Sequence, residues 1–78
     1  MTVRAYILIQ TDVGKAAEVC ADVAAIDGVV SAEGVTGPYD VVVRAEAATL
    51  DELGRNVVSR IQLVDSITRT LTCPVINF

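Results

Sequence analysis

The chain has 78 residues, 53% of them hydrophobic, with six Lys and Arg against ten Asp and Glu for a net charge of −4, two cysteines, no histidine and no tryptophan. So short a chain is one domain that buries a low fraction of its surface when alone, which points to a partner subunit. The absence of histidine removes the commonest general base and the commonest metal ligand, and two isolated cysteines cannot make a four-ligand zinc site, so hydrolytic and metal chemistry are disfavoured and no cofactor is expected.

From residue 3 to about residue 10, Ala5, Ile7 and Ile9 alternate with Tyr6 and Leu8, which predicts a strand apolar on both faces. After Thr11 and Asp12 the apolar spacing becomes helical to about Ala25, with Ala16, Val19, Cys20 and Val23 on one stripe and Lys15, Glu18 and Asp22 outside it. Asp27-Gly28 stops that helix, because glycine tolerates the left-handed turn that follows one. A second strand over residues 29–36 carries Ser31, Glu33 and Gly34 among its valines and reads as an edge. Gly37-Pro38 marks a turn, and Val41, Val42 and Val43 then form a β-branched run suited to a central strand.

Thr49 with Glu52 three residues later is a capping box, opening a helix whose stripe holds Leu50, Leu53, Val57 and Ile61. Asp51 and Glu52 at its start and Arg60 at its end match the helix macrodipole, which accounts for the adjacent acids without acid/base chemistry. The last strand covers residues 66–75, with Thr68, Thr70 and Thr72 alternating against Ile67, Arg69, Leu71 and Cys73. Cys20 and Cys73 read as small core hydrophobes, since neither a neighbouring base nor a close Cys pair supports redox work.

The order is βαββαβ, which predicts an α+β, ferredoxin-like sandwich: a four-stranded antiparallel sheet with the first and third strands central and two helices on one face. The other face, with Tyr6, Leu8 and Val42, is then left bare, and a bare apolar sheet face marks an interface. A dimer that stacks sheet on sheet is the expected result. The six basic residues, Arg4, Lys15, Arg44, Arg55, Arg60 and Arg69, are scattered, which argues against direct nucleic-acid binding. The longest apolar run near the start, Ala5 to Ile9, is too short for a signal or a membrane span, so the expectation is a cytoplasmic protein with no membrane contact.

The strings Ile26-Asp27-Gly28-Val29-Val30, Val35-Thr36-Gly37-Pro38-Tyr39-Asp40 and Arg69-Thr70-Leu71-Thr72, in this strand order, resemble the effector domain of the Lrp/AsnC family of feast/famine regulators. The resemblance spans essentially all 78 residues. It implies face-to-face dimers assembling further, with four dimers making an octamer, and amino-acid effectors bound between dimers. Carried over by position, Thr36, Gly37, Pro38, Tyr39 and Asp40 line the pocket from the turn, and Thr70 and Thr72 face it from the last strand. Regulators of the family carry a helix-turn-helix domain ahead of this one, whereas this sequence starts on the first strand. The expectation is a stand-alone effector domain that modulates transcription through association with a full-length Lrp/AsnC regulator. Two departures stand out: Ser66 lies where the family often has glycine, and Pro38 removes a backbone donor from the turn.

The chemistry of an amino acid fits these residues. Asp40 can hold an ammonium by charge-assisted hydrogen bonds, Gly37 permits close approach, and the hydroxyls of Thr70 and Thr72, two apart on one side of a strand, can donate to a carboxylate. The same residues also fit an ordinary hairpin in which Asp40 caps the turn, and alternating threonines fit a solvated edge. Two other functions share the fold. A small dimeric enzyme of monooxygenase or isomerase type would need cavity side chains, for which Asn56 and Asn77 are poor candidates, and an ACT-type amino-acid-binding domain would use the loop over residues 11–14.

Overall fold

A computed structural model describes residues 2–78. Strand β1 (Val3–Thr11) leads to helix α1 (Ala16–Ala24), strands β2 (Val29–Gly34) and β3 (Val41–Ala47), a second helical segment and strand β4 (Ile67–Pro74). The second segment, α2, is an α-helical start at Leu50–Glu52, a π-helical stretch at Leu53–Val58 and an α-helical end at Ser59–Ile61. The sheet order is β2-β3-β1-β4 with every pairing antiparallel, so β1 and β3 are central as the pattern predicted.

One face of the sheet contributes Ala5, Ile7 and Ile9 from β1 and Val41, Val43 and Ala45 from β3. Val19 and Val23 of α1 and Leu53, Val57 and Ile61 of α2 close over them, and all eleven are buried. This is the alternation of a strand with period two meeting the stripe of a helix. No polar side chain is buried among the described residues, so the domain core is held by apolar contact alone.

Several boundaries depart from the sequence pattern for local reasons. Gly14 holds φ at 77° and the Lys15 N–H donates to the Asp12 carbonyl at 3.1 Å, so a tight turn delays α1 to Ala16. Ser66 holds φ at 72°, outside strand geometry, and β4 therefore begins at Ile67. Strand β2 ends at Gly34, two residues short of the predicted edge.

Thr49 caps α2, its hydroxyl accepting from the Glu52 N–H at 3.1 Å. The predicted stripe loses its first member, because Leu50 is 59% exposed. A π-helical turn holds more residues than an α-turn, so the spacing of four that buries Leu53, Val57 and Ile61 does not extend back by three to Leu50. Cys73 is a second correction. It is exposed rather than in the core, and only Cys20 is half-buried, with its thiol donating to the Ala32 carbonyl at 3.3 Å.

Candidate ligand-binding site

The β1–β3 ladder ends where Ile9 pairs with Val41, and the candidate turn over residues 35–40 hangs from that end. The Val35 N–H donates to the Asp40 carbonyl at 2.9 Å, closing the turn, and the Asp40 N–H donates to the Ile9 carbonyl at 2.9 Å, hooking it onto β1. Gly37 takes φ of 130°, where a side chain would be strained, with nothing within 4 Å of where its Cβ would stand. Gln10 adds a third tie, its side-chain amide donating to the Pro38 carbonyl at 2.7 Å.

Thr36, Gly37 and Pro38 are exposed, and Tyr39 and Asp40 are half-buried. Asp40 uses one carboxylate oxygen inside the fold: Oδ2 accepts from the Thr11 N–H at 2.8 Å and lies 3.4 Å from the Thr11 hydroxyl, whose one proton also has the Asp12 carbonyl within reach at 3.1 Å. Among the described residues Oδ1 accepts no hydrogen bond and no cation pairs with the carboxylate, since the ion pairs are Lys15 with Glu18 and Arg55 with Asp51, both on exposed helix surface. A half-buried carboxylate with one free oxygen and no counter-ion, beside exposed backbone, is an acceptor suited to an external ammonium.

Thr70 pairs with Ile9, which in turn pairs with Val41, so Thr70 reaches the same end of the sheet. Two strand spacings, about 10 Å, separate it from the start of β3. Thr72 pairs with Ile7, one residue pair further from the turn. Both threonines share the face of Ile7 and Ile9, with Thr70 half-buried and Thr72 exposed. The turn and Thr70 are thus brought together at one rim while Thr72 stands further in, and two hollows on the surface, one between α1 and β2 and one beside Tyr6 and Arg44, are lined by other residues than 36–40. Gln10, which helps to hold the turn in place, was not a candidate from sequence, and Thr11 entered only through the 11–14 loop of the ACT-type alternative. Their signal lies in the strand register, which pattern alone does not supply.

The opposite, helix-free face carries the predicted interface residues. Leu8 lies between Val42 on β3 and Leu71 on β4, and Tyr6 lies between Arg44 and Cys73. Tyr6 is 45% and Leu71 39% exposed. Leu71 and Cys73 extend the patch beyond the three residues expected. No helix is long and apolar enough to cross a membrane, and no group of three or more His, Cys, Asp or Glu side chains among the described residues could hold a metal ion.

A four-stranded antiparallel sheet with two helices on one face makes this a small ferredoxin-like α+β domain. The sequence pattern of the Lrp/AsnC ligand binding domain matches residues 4–77, and the chain belongs to that family. A hypothetical protein from Pyrococcus horikoshii, PHS023, is 34% identical with a TM-score of 0.87, covering 97% of this chain and 92% of that one. AsnC from E. coli is 25% identical with a TM-score of 0.87, but the match covers 97% of this chain and only 52% of AsnC. A transcriptional regulator from Neisseria meningitidis, NMB0573, solved as a complex with L-Met, shares the fold at a TM-score of 0.81 and 18% identity, covering 96% of this chain and 50% of that one. Comparison with curated protein sequences gives no match.

Proposed function

We propose that this domain is an oligomeric amino-acid sensor that acts on transcription through a full-length Lrp/AsnC regulator, a binding module and not an enzyme. The observation that carries the reading is Asp40, whose second carboxylate oxygen accepts no hydrogen bond and has no counter-ion among the described residues, in a turn whose residues Thr36 and Gly37 are exposed. An amino acid needs an anion for its ammonium and donors for its carboxylate. Asp40 supplies the first, and a Thr70 hydroxyl from a copy in a neighbouring dimer supplies the second.

The gap of about 10 Å between the start of β3 and Thr70 is wider than one amino acid's polar end spans, which agrees with a pocket completed by a neighbouring dimer. Dimers form when the bare faces around Leu8, Tyr6 and Val42 stack, and the ring closes by contacts at the turn. The L-Met complex of NMB0573, a protein of the same fold, makes a small amino acid a reasonable effector class. Titration calorimetry against the twenty amino acids, beside native mass measurement, tests the reading. It expects at least one amino acid to bind with the stoichiometry of the assembly; heat from none of them, on a folded protein, overturns it.

A further inference from the structure

Three turns meet at the end of the sheet that carries Asp40, and they are joined by bonds that the candidate turn does not itself contain. Because the β1–β3 ladder stops at Ile9 and Val41, Thr11 faces the β3 side with no strand residue opposite it, and the Asp40 side chain supplies the missing acceptor. The next residue, Asp12, donates its N–H to the Ser66 carbonyl at 2.8 Å. Ser66 holds φ of 72°, the one non-glycine residue among those described with a positive φ, and a conformation that persists only where its surroundings impose it.

We propose that Thr11, Asp12 and Ser66 are positioning residues for the effector turn: they hold the Asp40 carboxylate with Oδ2 engaged and Oδ1 free, and occupancy of the turn in return tightens this junction. The proposal rests on the reading of residues 36–40 as the ligand turn. Its physical content is linkage. The closed junction is the state that presents Oδ1 to a ligand, so closure favours binding and binding favours closure by the same factor.

Native-state hydrogen exchange with each of the twenty amino acids tests this on the unaltered protein. An amino acid that perturbs the amides of Gly37, Tyr39 and Asp40 is expected to slow exchange at Thr11 and Asp12, by about 100-fold at a concentration 100 times Kd when the open junction does not bind. Perturbed turn amides with unchanged exchange at Thr11 and Asp12 overturn the positioning role and leave the ligand turn standing. If none of the twenty perturbs residues 36–40, the ligand reading fails and this proposal with it. Asp12→Pro supplies the reciprocal measurement, since it deletes the donor to Ser66 and leaves the turn intact. Affinity is expected to fall about 5- to 150-fold, and a folded variant of parental affinity overturns the proposal. Should that variant not fold, the exchange experiment decides alone.

Discussion

A Cβ placed on Gly28 would stand 2.6 Å from Cγ2 of Val57 and 3.1 Å from the Glu46 carbonyl oxygen, with Gly28 itself at φ of 94°. Val57 is a buried member of the core, and the Gly28 carbonyl accepts the Glu46 N–H at 2.8 Å. The chain between α1 and β2 is therefore pressed against α2 and the end of β3 at once. Gly28→Ala adds a methyl against a buried valine side chain and a backbone carbonyl, and overpacking of this kind costs about 1 to 3 kcal/mol, with a further ~1 kcal/mol for the left-handed conformation. Denaturant melts should show that loss, about 4 to 8 °C in Tm per kcal/mol for a domain of this size. A change below about 0.5 kcal/mol would mean that Val57 has room to turn aside.

Leu8 sits between Val42 and Leu71 on the face no helix covers. If that face is the dimer contact, Leu8→Glu introduces a carboxylate that the dimer would bury without a partner, at a cost of several kcal/mol. The monomer itself loses little, because Leu8 is only half-buried within the chain. Light scattering is expected to report a single-subunit mass for a variant whose circular dichroism matches the parent. An unchanged mass would place the contact elsewhere.

Asp40 has two separable duties, one toward Thr11 and one toward an effector. Asp40→Asn keeps the shape but removes the charge from both. Effector affinity should fall by the roughly 1.5 to 3 kcal/mol of a charged hydrogen bond, about 10- to 150-fold, and stability should fall as well, since an amide oxygen is a weaker acceptor for the Thr11 N–H. Thr70→Val removes a neutral partner from the same rim and should cost about 1 kcal/mol of affinity, with little effect on melting because Thr70 lies on an edge strand. Calorimetry beside melting curves separates the outcomes: a destabilised Asp40→Asn protein of unchanged affinity would make the carboxylate a purely structural cap.

The parts of this molecule that could be read in advance are those governed by local period. Ile7 and Ile9 against Tyr6 and Leu8 assign the two faces of β1, and Val19 with Val23 assigns the buried stripe of α1, because each pattern follows from backbone geometry within a few residues. What escaped depends on register or on single dihedrals. The bond from Thr11 to Asp40 joins residues 29 apart and follows only once β1 and β3 are aligned. The turn at Gly14 and the positive φ of Ser66 shift the ends of α1 and β4; serine itself gives no sign of that conformation, which only the family's frequent glycine at this position suggests. The π-helical stretch removes Leu50 from the stripe for the same kind of reason, a local departure from the period on which the pattern rests.

The two cysteines report on the bare face through their reactivity. Cys73 is exposed in the single chain and pairs with Tyr6 on the helix-free face, whereas Cys20 is half-buried with its thiol donating to the Ala32 carbonyl. Accessible thiols react through their thiolate, and burial slows that reaction. An isolated chain should therefore label first at Cys73. In an assembly that stacks this face against a second copy, Cys73 lies within the buried area and its labelling slows to the rate at which the dimer opens, while Cys20, on α1 and turned toward β2, is unaffected. Mass spectrometry after timed alkylation should find Cys73 protected in the parent and labelled rapidly in Leu8→Glu, with Cys20 slow in both. Rapid labelling of Cys73 in an oligomeric parent would show that the sheet face stays open to solvent and that the subunits meet through another surface.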